Sequence, residues 1–152
     1  MSFTILPVHK LKEIIGEEKT TDWIEVTQER INQFADCTED HQYIHVDPEL
    51  AKKGPFGRTV AHGFLTLSLL TRLSSTNIWV PEGMKAVINY GFNKIRFIDP
   101  VPAGSRIRSV MKLANVEERE DGRVLVTMAH TVHVEGSDKP SLVAEWLFMF
   151  VT

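Results

Sequence analysis

The second half of the chain carries the strongest constraint on its fold, a period-two alternation of apolar side chains. Between Val124 and Val134 every second residue is apolar except His130. Such alternation is typical of a strand in an antiparallel sheet with one buried face. Three other segments have the composition of strands, namely residues 86–97, 106–116 and 142–151.

A helix precedes these strands and should lie inside the sheet. From Gly63 to about Ser75 the apolar residues occur around most of the helix circumference, which indicates a helix enclosed by other structure. Glycine-containing turns at 120–122 and 136–138 predict hairpins, so we expect a meander of consecutive strands curled around the helix. The other face of the sheet would stay uncovered and available to a second copy or a partner.

Two shorter helices are predicted upstream. Thr27 is a good N-cap for a helix over residues 27–37, and Asp47-Pro48 begins a short helix that ends near Gly54. No linker, repeat or low-complexity tract interrupts the pattern. We therefore predict one α+β domain over residues 1–152.

Composition limits the possible partners and compartment. A net charge of −3 and a pI near 6.1 make a nucleic acid a poor partner. The longest apolar stretch, Phe64 to Leu73, contains polar residues and is only about half the length that a bilayer requires. The single cysteine, Cys37, cannot form an internal disulfide and is expected to be buried. A cytoplasmic protein without membrane contact is the expectation.

Two segments suggest chemistry on a carbonyl compound. Asp40 and His45 lie on one short irregular loop, and Gly63 stands at the entrance of the apolar helix. A neutral imidazole can act as a base, a carboxyl group can orient water and shuttle a proton, and a glycine N–H can stabilise a negative oxygen. Simpler interpretations stay open, because Asp40 could cap a turn and His45 could be a buried core histidine.

These segments resemble the MaoC-like dehydratases, including the (R)-specific enoyl-CoA hydratases and the branch similar to nodulation protein N. The resemblance covers about residues 10 to 150 and rests on Asp40 to Pro48, Ala61 to Leu65 and Asn93 to Val101. It implies a hot-dog fold, usually a homodimer, and hydration of a trans-2-enoyl thioester to a (3R)-hydroxyacyl thioester without metal or cofactor. His45 would be the base, Asp40 its acid partner and Gly63 the oxyanion donor.

One feature departs from the family's usual pattern. Gln42-Tyr43 replaces the common Asn-Pro pair between the aspartate and the histidine, which removes a fixed backbone angle from the loop. The glutamine amide can still bond the loop backbone as asparagine would. The candidate substrate-binding residues are Gln42, Tyr43, His62, Phe64, Lys94 and Arg96, of which the last two could contact the phosphates of coenzyme A.

Other site interpretations remain. A metal held by His41, His45 and Asp47 is not expected, because that spacing matches no recognised zinc site. A hot-dog thioesterase is disfavoured because residues 64–77 contain no carboxylate, where the usual acyl-CoA thioesterases carry one. A non-catalytic module that binds acyl thioesters is the third possibility. Coenzyme A and an acyl carrier protein are equally possible carriers of the substrate.

Overall fold

The computed structural model describes residues 3–152, and their elements alternate between short helices and strands. The helices are α1 Val8–Glu13, α2 Gln28–Thr38, α3 Tyr43–Val46, α4 Pro48–Ala51, α5 Gly63–Ser68 and α6 Leu70–Ser74. The strands are β1 Thr4–Leu6, β2 Glu18–Thr20, β3 Ile24–Val26, β4 Trp79–Pro81, β5 Ala86–Phe97, β6 Ser105–Glu118, β7 Val124–Val134 and β8 Pro140–Val151. In the described part of the chain no helix combines the length and the apolarity that crossing a membrane needs.

The main sheet is antiparallel and has the strand order β2-β6-β7-β8-β5, with β3 also paired to β6. All four strands expected from the sequence are present, and β6, β7 and β8 form the expected hairpins. β1 and β4 form a separate parallel pair. The α+β fold class is confirmed.

The expected meander is wrong at its first step, because β5 pairs with β8 and not with β6. The connection from β5 to β6 is held by a different segment of the chain. Ala61 N–H donates to Val101 O at 2.8 Å, and Val60 forms an isolated bridge with Pro102. The connection therefore lies against residues 60–61, and β5 is an edge strand of the sheet.

The central helix is less enclosed than its composition suggested. It consists of two segments, α5 and α6, that meet at Leu69. Leu65, Leu70 and Leu73 are buried, but Phe64 is 68% exposed. One side of the helical segment therefore faces solvent beside β5, in contrast to the prediction.

The core lies between this helical segment and the concave face of the sheet. The alternating residues of β7 are buried as expected, and His130 among them is only 2% exposed. Its Nδ1 lies 3.0 Å from Ser109 Oγ on β6, whereas its Nε2 has no partner in residues 3–152. Cys37 was expected in the core but is exposed near the end of α2, because it lies on the outer side of that helix.

Candidate active site

The loop after α2 positions Asp40. Thr27 caps α2 by accepting the Arg30 N–H at 3.1 Å, as predicted. The helix ends where Glu39 adopts a left-handed conformation with φ 61°, which turns the chain towards the sheet end. Asp40 Oδ1 then accepts the N–H of Gln42 at 3.3 Å. The carboxylate is 52% exposed, so it is accessible to water.

His45 is buried on the one-turn helix α3, with 7% of its surface exposed. Its Nδ1 lies 2.7 Å from Val60 O. Because a carbonyl oxygen can only accept, Nδ1 carries the proton and Nε2 keeps its lone pair. Burial lowers the pKa of His45, and the bond to Val60 opposes this in part. The imidazole is therefore neutral near pH 7 and can accept a proton.

A second buried histidine joins Asp40 to His45. The His62 ring stacks on the His45 ring with 3.9 Å between centroids and 24° between planes. Its Nε2–H donates to the backbone oxygen of Asp40 at 2.9 Å, while Nδ1 is buried without a partner among the described residues. An oxygen of the Asp40 carboxylate and a ring nitrogen of each histidine all lie within 4.8 Å of one another.

This three-residue cluster is poorly arranged for a metal ion. Imidazole lone pairs lie in the ring plane, so two stacked rings with nearly parallel planes cannot direct them at one ion. The metal ligands considered from the sequence, His41, His45 and Asp47, do not form a cluster in the structure. His41 Nε2 lies 2.9 Å from Asp36 Oδ1 on the surface, and Asp47 accepts the Leu50 N–H as the cap of α4.

A cavity of about 260 Å³ opens beside His45 and Gly63. Gly63 is the first residue of α5, and within residues 3–152 its N–H has no backbone acceptor. A Cβ at this position would lie 3.0 Å from Phe97 Cδ1, so a larger residue would require that half-exposed ring to shift. Most other residues of the wall are apolar, including Ile44, Phe56, Val60, Ala61, Ile98 and Val101. The cavity thus offers an apolar surface next to one imidazole and one free amide.

The predicted substrate-binding residues lie outside the wall of this cavity. Gln42 is exposed at the start of α3, and Tyr43 lies against Gly54. Phe64 contacts Phe97 edge-on, with ring centroids 6.0 Å apart.

The two basic candidates are also absent from the wall of this cavity. Lys94 and Arg96 are exposed on the edge strand β5, and Arg96 Nη1 donates to Ile95 O at 2.8 Å.

Sequence reasoning missed the residues that support the site from behind. Val60 O accepts the His45 Nδ1–H, and Gln28 Nε2 donates to His45 O at 2.7 Å. Asp99 and Ser141 add polar groups to the cavity wall. No local signal marks these positions, because polar residues at a helix start or in a loop are common on any surface.

A sheet curled over a central helical segment defines the hot-dog class of folds, and the cavity lies at the start of that helix. The unliganded R-hydratase PhaJ1 from Pseudomonas aeruginosa shares this fold, with a TM-score of 0.72 and 24% identity over 95% of this chain and 84% of that chain.

The sequence profile of the MaoC like domain matches residues 10–135. 3-Hydroxyacyl-thioester dehydratase Z of Mycobacterium tuberculosis H37Rv is 53% identical over 131 residues, which cover 86% of both chains. Nodulation protein N of Rhizobium meliloti is 41% identical over 136 residues, which cover 88% of this chain and 84% of that protein. The chain belongs to the MaoC-like dehydratase family, and the resemblance seen in the sequence is confirmed.

Proposed function

We propose that this protein reversibly hydrates a trans-2-enoyl thioester to a (3R)-3-hydroxyacyl thioester. The main observation behind this proposal is that a carboxylate oxygen of Asp40 and a ring nitrogen of His45 lie within 4.8 Å of each other, beside a cavity that His45 and Gly63 line. The names of the relatives, a 3-hydroxyacyl-thioester dehydratase and an R-hydratase, support the same type of reaction. The stereochemistry is inferred from the family likeness.

In this proposal three groups share the chemistry. His45 Nε2 removes a proton from a water molecule while the water oxygen bonds to C3 of the substrate. The electron pair of the double bond moves towards the thioester oxygen, which accepts the Gly63 N–H. The proton returns through Asp40 to C2, so one water is added and no other reactant is consumed. Dehydration follows the same steps in reverse.

The same groups explain why no cofactor is needed in this proposal. Every bond that breaks or forms involves water, the enoyl carbons or an exchangeable proton, and the thioester itself supplies the electron sink. The apolar wall of the cavity, for example at Ile44 and Val101, would hold the acyl chain. The thioester carrier would extend towards solvent, where Lys94 and Arg96 are available to phosphate groups.

A homodimer is the second part of the proposal. β5 is a twelve-residue edge strand, and its exposed side chains include Val87, Ile88, Tyr90 and Phe97. A long apolar edge is a liability in a free protomer and is usually covered. Pairing of two β5 strands would join the sheets of two copies and cover the exposed Phe64 beside them.

The reaction is tested by following the loss of conjugated enoyl absorbance with crotonyl-CoA and longer homologues, on coenzyme A and on acyl carrier protein. We expect turnover by the wild type and a loss of about 100-fold to 10,000-fold in Asp40→Asn and in His45→Gln. His41→Gln is the matched control, because this imidazole is exposed and bonded to Asp36. Its rate should equal that of the wild type.

Two outcomes would contradict the proposal. Release of free thiol in place of hydration would favour the thioesterase. Failure to convert any chain length on either carrier, with substrate still bound, would favour the non-catalytic module. The (3R) assignment is tested in the reverse direction, where only one of the two 3-hydroxyacyl-CoA enantiomers should gain enoyl absorbance.

A further inference from the structure

The side chain of Gln28 connects three segments behind His45. Gln28 is the first residue of α2. Its Nε2 donates to His45 O at 2.7 Å and to Asn32 Oδ1 at 2.9 Å, and its Oε1 accepts the Thr59 hydroxyl at 2.5 Å. One amide therefore joins α2, the α3 turn and the strand-like segment that contains Thr59.

The orientation of this amide follows from its partners. The carbonyl of His45 can only accept, so the amide nitrogen must face it. The amide oxygen then faces Thr59, and the hydroxyl must be the donor. Thr59 is only 6% exposed, so its hydroxyl would be buried without this partner.

These bonds adjoin the one that fixes the imidazole. Thr59 precedes Val60, whose oxygen accepts the His45 Nδ1–H at 2.7 Å and whose N–H donates to Ile44 O at 2.9 Å. Gln28 thus ties the backbone of His45 to the residue next to the acceptor of its ring. A shift of α3 relative to residues 59–60 would have to break the Gln28 contacts as well as the two bonds to Val60.

We propose that Gln28 and Thr59 are positioning residues that hold His45 in register with Val60 and so direct Nε2 at the reacting water. This inference rests on the proposed hydratase function. Gln28 does not line the cavity, so it acts through His45 and does not touch the substrate. The geometric requirement is strict, because a displacement of about 1 Å at a reacting group can cost about 100-fold in rate.

The kinetic test uses matched pairs of substitutions. Gln28→Glu keeps the size and an acceptor for Thr59 but removes the donor to His45 O. Thr59→Val removes the hydroxyl at constant shape, and Thr59→Ser keeps it. We expect kcat to fall by about tenfold or more in Gln28→Glu and Thr59→Val, with KM little changed. In Thr59→Ser, which keeps the hydroxyl, kcat should stay close to the wild-type value. Asn32→Ala removes only the exposed third bond of Gln28 and should behave as wild type.

A second measurement needs no substrate and separates this inference from the proposed function. In the free wild type, imidazole NMR should show His45 as a single Nδ1–H tautomer with slow exchange of that proton. In Gln28→Glu and Thr59→Val the proton should exchange faster and the Nε2–H tautomer should appear. Folding is checked by thermal unfolding of each variant.

The inference is overturned if Thr59→Val and Thr59→Ser have the same kcat and both retain the wild-type Nδ1–H signal. If the wild type hydrates no enoyl thioester, the proposed function fails, and the NMR comparison alone still decides whether Gln28 and Thr59 hold His45.

Discussion

At the scale of single residues, the environment of His45 predicts the pH dependence of the reaction. Burial lowers the pKa of His45 below its usual value of 6.5. The imidazole is therefore more than half neutral at pH 6.5, and its half-protonation point lies below that pH. For the proposed hydration we expect kcat/KM to keep more than half of its neutral value at pH 6.5 and to decline further at lower pH, as measured by initial rates.

Unfolding in acid could imitate this decline, so tryptophan fluorescence should be recorded in the same buffers. The interpretation would be wrong if kcat/KM lost half its value above pH 6.5 while the fluorescence of the folded protein persisted.

Gly63 offers a second prediction for one residue. In Gly63→Ala the new methyl group would lie 3.0 Å from Phe97 Cδ1, closer than a relaxed contact. Either the Phe97 ring moves, which changes the wall of the cavity, or the start of α5 shifts, which displaces the amide that is proposed to bind the thioester oxygen. We expect kcat/KM to fall by about tenfold or more while the protein stays folded, as measured by hydration rates and circular dichroism.

The double variant Gly63→Ala with Phe97→Leu is the control, because the smaller side chain returns space to the methyl group. It should recover part of the lost rate. An unchanged rate in Gly63→Ala alone would contradict the role given to this amide.

At the scale of elements, the long strands and α2 were predictable from the sequence because each carries its signal within a few residues. β7 alternates with period two, and Thr27 caps α2. The three-residue strands β1 to β4 are too short for any periodicity to be read. The pairing of β5 with β8 was also invisible, since it joins two strands that are far apart in the sequence.

The edge strand β5 leads to a prediction about assembly. The double variant Ile88→Lys with Tyr90→Lys places four like charges where two β5 strands would meet, and both side chains are exposed in the protomer. We expect the wild type to have about twice the 17.3 kDa protomer mass and the variant to have the protomer mass, as measured by light scattering after size exclusion.

Glu18→Lys is the matched control, because it lies on β2 at the opposite edge of the same sheet. This variant should remain dimeric. A wild type that elutes as a monomer at micromolar concentration would contradict the proposed homodimer.

At the scale of the whole molecule, His130 should limit stability in acid. Burial lowers the pKa of His130 to about 4, from an ordinary value of 6.5. Between these values the unfolded chain binds a proton that the folded protein does not, so the free energy of unfolding falls as the pH falls. The full loss from this residue is about 3 kcal/mol at pH 4.

Urea denaturation from pH 7 to pH 4 measures this loss. His130→Leu should flatten the dependence, because the leucine cannot be protonated in either state. Parallel curves for this variant and the wild type would show that other groups control acid stability.

The candidate site was predictable in part. Asp40, His45 and Gly63 could be named as candidates because their chemistry and spacing are unusual in a short stretch of sequence. In the structure Asp40 lies close to His45, and His45 and Gly63 line the same cavity. The supporting role of Gln28 could not be predicted. It depends on a contact between residues 28 and 59, which are distant in sequence and unremarkable in type.

The position of Phe97 couples two regions that a sequence reader would treat separately. Phe97 is the last residue of the edge strand β5, and its ring also lies over Gly63, where an added Cβ would be 3.0 Å from Cδ1. Because the Phe97 ring leaves little room for an added Cβ on Gly63, a displacement of the ring changes the space at the start of α5. A molecule that packs against the last residues of β5 would therefore alter the space above the N-terminus of α5.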